Sequence, residues 1–187
     1  MKVELIDKMG TDLSVVNAAR VSYAKEKEEF EESDERLIRY LAEHKHWSPF
    51  AHTFLSFRIK APVFVARQLV KHQVGLVWNE ESRRYITHDP EIYNIRKWRE
   101  KPDSSKQGSG EQILISTELN LEVNEHLQQG LSLYNRLLLE NVAPEQARAV
   151  LPQSMYTNWI WSGTLYAFAR VCELSLIHIS EPTRLAT

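Results

Sequence analysis

The chain has 187 residues, of which 43% are hydrophobic and 26% charged, with a net charge of −2. That length and apolar share suit one core-forming domain, and a charge so near zero excludes a general nucleic-acid binder, which carries a basic excess. A single cysteine, Cys172, excludes a disulfide framework or a cysteine-based zinc site within the chain, and no apolar run is long enough to span a bilayer.

The opening Met1–Asp7 segment lacks the apolar centre of a signal peptide, so a cytoplasmic protein is expected. Val3–Ile6 reads as a first strand, and Thr11 and Asp12 offer caps for a helix over Asp12–Arg20. The charged run Lys25–Asp34 reads as a solvated connection. Helical spacing returns over Asp34–His44, with Leu37, Ile38 and Leu41 on one side, and the stretch His44–His52 interrupts it. Thr53–Lys60 alternates, sending Leu55, Phe57 and Ile59 to one face and Ser56, Arg58 and Lys60 to the other. Pro62 opens a helix predicted to reach Gln73, which places Arg67 and Lys71 on one face and Gln68 and His72 beside them. Gly75 ends it. Thr87–Gly110 is irregular, and Lys101–Gly110 reads as a mobile loop. A long helix over about Glu118–Glu140 carries Leu119, Val123, Leu127, Leu131, Tyr134 and Leu138 at helical spacing. Pro144 starts a short helix that ends near Pro152, Met155–Trp161 reads as a strand, and Gly163–Glu173 as a closing helix. The sum is an α+β domain with long helices and a small sheet.

The chemistry concentrates in Arg67–Tyr85, where Arg67, Lys71, His72, Arg83 and Arg84 sit among Gln68, Gln73, Asn79, Glu80, Glu81 and Ser82. Forked guanidiniums and an ammonium hold phosphate, while amides and a hydroxyl read oxygens and ring edges, so the inventory suits a polyanionic ligand with a polar heterocycle. Arg67 and Lys71 alone would read as a solvated helix face. In a strand the adjacent Arg83 and Arg84 point to opposite faces, so one of the two serves the site. Ser82 lies among Glu81, Arg83 and Arg84 rather than a His–Asp pair, which favours phosphate contact over a nucleophilic role. His44, His46 and His52 read as polar turn residues rather than metal ligands. Tyr156, Trp159 and Trp161 read as core or subunit interface, and Cys172 as a small buried hydrophobe.

Lys71–Tyr85, K-H-Q-V-G-L-V-W-N-E-E-S-R-R-Y, resembles the signature of flavin-dependent thymidylate synthases. The usual motif opens Arg-His-Arg and closes on Asn-Glu-x-Ser-x-Arg. Here it opens Lys71-His72-Gln73, with one extra residue before Asn79. Gly10–Tyr23, His46–His52, Ala61–Gln68 and Ala147–Pro152 resemble further blocks of that family, in its order. The resemblance implies a homotetramer of α+β subunits with active sites at subunit interfaces. It implies reductive methylation of dUMP to dTMP, with methylenetetrahydrofolate as carbon donor and NADPH reducing FAD. Carried over by position, Gln68, Leu69, Val70 and Lys71 of one subunit, together with Glu80, Glu81, Ser82, Arg83 and Arg84 of another, hold dUMP, joined by Arg148. Ser48, Lys71, His72, Gln73 and Glu80 line the FAD site. His46 falls at a catalytic position linked to folate or flavin handling. The family's flavin-contacting polar residues are not evident near Thr164–Tyr166, which leaves Arg170 as the substitute.

The end of the chain departs from the family. Where members carry a ring-polarising arginine, this chain has Ser175. Leu174–Arg184, L-S-L-I-H-I-S-E-P-T-R, resembles the translation of a sequencing-library adaptor. The expectation is a family domain over residues 1–173, incomplete at its end, followed by a non-native tail over 174–187. The alternative to an enzyme is then a flavin- and nucleotide-binding remnant without turnover.

Overall fold

A computed structural model describes residues 1–102 and 108–178, the last five of these by backbone course alone. In chain order the elements are β1 (Lys2–Met9), α1 (Asp12–Arg20), α2 (Glu32–Glu43), β2 (Phe54–Pro62), α3 (Val63–Leu69), β3 (Leu76–Glu80), β4 (Trp98–Arg99), β5 (Gln112–Ile113), α4 (Thr117–Leu139), α5 (Pro144–Ala147), β6 (Tyr156–Thr164) and α6 (Leu165–His178). Single-turn 3-10 helices cover Ser48–His52 and Arg148–Val150. The main sheet runs in the order β1-β2-β6-β3, and every neighbouring pair is antiparallel.

Alternation along β2 and β6 gives the sheet one apolar face. Ile59, Ala61, Trp159 and Trp161 point to that face and are buried against Val65 and Ala66 of α3 and Val171 of α6. Trp78 of β3 stacks on Trp159 with ring centroids 4.3 Å apart, and Phe168 presents its edge to Trp161 at 5.2 Å. Aromatic pairs at such offsets add to simple area burial. Of the core or interface role read for them, Trp159 and Trp161 take the core, and the α+β class holds.

Several boundaries differ from the sequence reading. The helix predicted over 62–73 stops at Leu69, so Lys71, His72 and Gln73 lie in a turn and Arg67 and Lys71 share no helix face. The chain must reverse there because β3 pairs with β6, a strand that the residue pattern does not announce. Arg83 and Arg84 follow β3 in a turn rather than in a strand. The closing helix starts at Leu165, two residues later than expected, because β6 continues to pair with β2 through Thr164. In α6 Val171 takes the inward position and Cys172 is exposed, contrary to the buried role read for it. Within the Lys101–Gly110 loop, residues 103–107 lie outside the described residues, as do residues 179–187 of the tail.

The charged run 25–34 is not merely solvated. Asp34 is wholly buried. It accepts from the Lys27 ammonium at 2.7 Å, the Arg20 guanidinium at 2.8 Å and the Glu31 backbone N–H at 3.0 Å. The last bond is half of the capping box that starts α2. Lys27 is clamped in turn by Asn17, whose amide donates to the Lys27 carbonyl and accepts its N–H, both at 2.9 Å. The hydrogen bond from Lys27, then that from Arg20, holds the Asp34 carboxyl at about 2.

Two glycines set the course of β3. Gly75 has φ +76°, and a Cβ there would meet the Ala167 methyl at 3.1 Å. A Cβ on Gly163 would overlap the Gly75 carbonyl oxygen. That carbonyl accepts from the Thr164 N–H at 3.2 Å, which ties the turn to the start of α6.

The Asp34 and Gly163 contacts each generate a test. Asp34 has a folded value of about 2 against 3.8 unperturbed, so its stabilisation is complete above about pH 4 and is lost as pH falls through 2. The gap in melting temperature between wild type and Asp34→Asn is therefore expected to be constant from pH 5 to 8 and to close between about pH 4 and 2. A gap independent of pH would contradict the network. Gly163→Ala is expected to cost about 1–3 kcal/mol in denaturant unfolding, because the Gly75 backbone must move.

Candidate functional site

The candidate residues divide between the two ends of the sheet. At one end lie the starts of β2 and β3 and the finish of β6, where Phe54 pairs with Thr164 and Leu76 with Gly163. The 3-10 turn of Ser48–His52 leads into β2, the turn of Lys71, His72 and Gln73 leads into β3, and α6 departs from β6. The Leu165 N–H donates to the Thr53 carbonyl at 3.0 Å, which draws the Ser48 turn against the base of α6. The Trp47 ring packs on Tyr166 at 5.6 Å. His46, just beyond α2, donates its backbone N–H to Leu41 at 2.8 Å, with its ring 6.1 Å from that of Tyr40.

This end is rich in uncommitted polar groups. Gln68, Lys71, Gln73 and Arg170 are exposed, and their side chains have no hydrogen-bond or ion-pair partner among the described residues. Leu69 and Val70 are half-buried, so they contribute backbone and packing rather than charge. An ammonium, a guanidinium and amides suit a ligand that combines phosphate with polar ring edges.

The other end carries Glu80, Glu81, Ser82, Arg83, Arg84 and Arg148. β3 separates it from the Lys71 turn by about 13 Å, at roughly 3.3 Å per residue. The resemblance implies that the two sets hold dUMP from different subunits, and within one subunit they lie apart. Glu80 accepts from the Thr157 hydroxyl at 2.7 Å and from the Trp78 indole at 3.2 Å, and Glu81 accepts from the Asn158 amide at 2.8 Å. These bonds lock both carboxylates onto β6 and hold the chain that follows.

Arg83 and Arg84 then part company. Arg83 is 6% exposed and donates to the His88 carbonyl, so it braces its own loop and is withdrawn from ligand. Arg84 is exposed and pairs with Glu145 of α5 through Nε at 3.0 Å. Its backbone N–H donates to Ser82 Oγ at 3.3 Å, and Arg148 Nε donates to the Glu145 carbonyl at 3.2 Å. Ser82, Arg84 and Arg148 therefore form one cluster with Glu145. Glu145 is absent from the sequence-predicted set; sixty-one positions from Arg84, it gives no local signal.

Cavities only partly follow this chemistry. A cleft of about 280 Å³ on the outer sheet face is lined by Glu80 and Glu81 with Arg58, Asn79 and Asn158. A larger one, about 520 Å³, lies between Thr87, Asn135 and Pro144 and holds none of the sequence-predicted residues. Among the described residues no group of His, Cys, Asp and Glu could hold a metal ion, and no helix is long and apolar enough to cross a membrane.

Known proteins share both sequence and fold. The thymidylate synthase complementing protein family matches residues 4–178. The chain is 42% identical over 164 residues to the flavin-dependent thymidylate synthase of Kosmotoga olearia, covering 86% of this chain and 70% of that protein. It is 38% identical over 174 residues to the enzyme of that name from Thermus thermophilus, covering 93% of this chain and 63% of that one, so it spans less than two thirds of that relative. Among solved structures, the UMP/dUMP methylase PolB from Streptomyces cacaoi, bound with 5-Br dUMP, has a TM-score of 0.74 at 34% identity, covering 89% of this chain and 74% of that one. The chain belongs to the thymidylate synthase complementing protein family, and the relatives it matches here are flavin-dependent thymidylate synthases.

Proposed function

We propose that this chain carries the reductive methylation of dUMP to dTMP, with FAD as cofactor and with methylenetetrahydrofolate and NADPH as co-substrates. Two exposed basic groups, each with free donors, on a fold shared with a dUMP methylase carry the reading. Ser82, Arg84 and Arg148 take the nucleotide phosphate. Lys71, Gln73 and Arg170, with Ser48 and His72 nearby, take the phosphates and polar ring edge of FAD. Bound there, the flavin supplies the hydride that the reaction requires. His46, exposed beside Tyr40, takes the role of orienting the folate or flavin ring.

The separation of the two groups along β3 supports a site completed between subunits. In it the Lys71 turn of one copy meets the Arg84–Arg148 group of another, within a homotetramer. Glu80 and Glu81 keep the second group in place and do not themselves meet phosphate, since like charges repel. The binding-only alternative rests on Ser175, which lacks the guanidinium to polarise a uracil ring. Single-turnover dTMP formation by the flavin-loaded protein separates the two readings.

The purified protein is expected to show a flavin absorption band and to sediment as an oligomer. Lys71→Ala is expected to weaken FAD retention, because it removes the cation of the Lys71-His72-Gln73 turn. A monomer that holds FAD tightly would contradict the shared site. By calorimetry, Arg84→Ala/Arg148→Ala is expected to weaken dUMP binding, since removing each charge-assisted hydrogen bond costs about 1.5–3 kcal/mol. Unchanged affinity would contradict the phosphate assignment.

A further inference from the structure

We propose that Glu145 is a positioning residue for the nucleotide phosphate, gripping Arg84 and Arg148 by their Nε atoms and leaving their terminal nitrogens free for the anion. The proposal rests on the dUMP reading above. Glu145 Oε2 meets Arg84 Nε at 3.0 Å, and its backbone carbonyl accepts from Arg148 Nε at 3.2 Å. One residue thus holds two arginines that are 64 positions apart in the chain. The terminal nitrogens of both have no hydrogen-bond partner among the described residues. A guanidinium has five donors in a fixed fork, and with Glu145 placed at the Nε side of both arginines the four N–H groups of the terminal nitrogens remain for bidentate contact with phosphate.

The support under Glu145 is rigid. Pro144 presets the first helical position of α5, and Ala147, one turn on, is fully buried. Arg84 is braced from a second side, with its guanidinium 5.8 Å from the centre of the Tyr85 ring. Both arginines are exposed and would otherwise sample many rotamers, and ordering them in advance removes a cost that binding would incur. A carboxylate beside two arginines also cancels part of their charge. If that cancellation dominated, removing Glu145 would tighten phosphate binding. The Nε geometry argues otherwise, because the anion has no need to displace the carboxylate.

The test measures calorimetric affinity of the full chain for dUMP and for deoxyuridine, which lacks the phosphate. Wild type, Glu145→Ala, Glu145→Asp and Arg84→Ala/Arg148→Ala are compared. Glu145→Ala removes the carboxylate beside Arg84 and leaves the backbone carbonyl that holds Arg148, so it is expected to weaken dUMP binding about threefold and to leave deoxyuridine unchanged. Glu145→Asp, which keeps the carboxylate charge, is expected to recover part of the loss. Equal or tighter dUMP binding by Glu145→Ala overturns the proposal. So does an equal loss for both ligands, which marks a general structural effect, or no recovery by Glu145→Asp. A double arginine variant that binds dUMP like wild type overturns the phosphate reading itself, and the Glu145 role with it.

Discussion

The approach of the Gly75 carbonyl to Gly163 sets where β3 begins along β6, and both candidate groups take their positions from that register. A side chain at Gly163 would push the two backbones apart. A non-glycine residue at 75 would strain the φ +76° turn that returns the chain from α3. With the pair in place, Lys71, His72 and Gln73 come to the base of α6, and Glu80 and Glu81 reach Thr157 and Asn158. The stacked indoles of Trp78 and Trp159 hold the same register from the core side.

Much of this fold is legible in the sequence, for physical reasons. Thr11 and Asp12 mark the start of α1, and strict alternation marks β2. The apolar spacing from Leu119 to Leu138 marks α4. The failures cluster where tertiary pairing overrides local preference. Nothing in the Arg67–Gln73 run breaks a helix before Gly75, yet the helix stops at Leu69 because β3 must fold back on β6. β3 itself is hidden by its chemistry. Leu76 and Trp78 point inward, but Asn79 and Glu80 complete a motif that draws attention to ligand rather than to pairing. Glu80 then faces Thr157, a partner 77 positions away.

The candidate site is legible as residue types and not as geometry. Sequence adjacency of Arg83 and Arg84 says only that one of them serves. Burial separates them: Arg83 holds the His88 carbonyl inside its loop, and Arg84 stays exposed against Glu145. Charge counting alone misses this, since both carry one positive charge. The family resemblance anticipates that the basic residues divide between subunits, but the residue pattern alone does not show that they sit at the two ends of a five-residue strand paired with β6. That division turns a contiguous motif into two halves, which is why a shared site between subunits is the natural reading of a single chain.

A mixing experiment tests that claim most directly. Lys71→Ala protein and Arg84→Ala/Arg148→Ala protein, each impaired alone, are unfolded, mixed and refolded together. The dUMP-induced change in the flavin spectrum is then measured. If sites form between subunits, mixed oligomers contain some intact sites and the signal returns, at a fraction of the wild-type amplitude. If every site is built within one chain, each remains defective, and a mixture no better than its components would contradict the account.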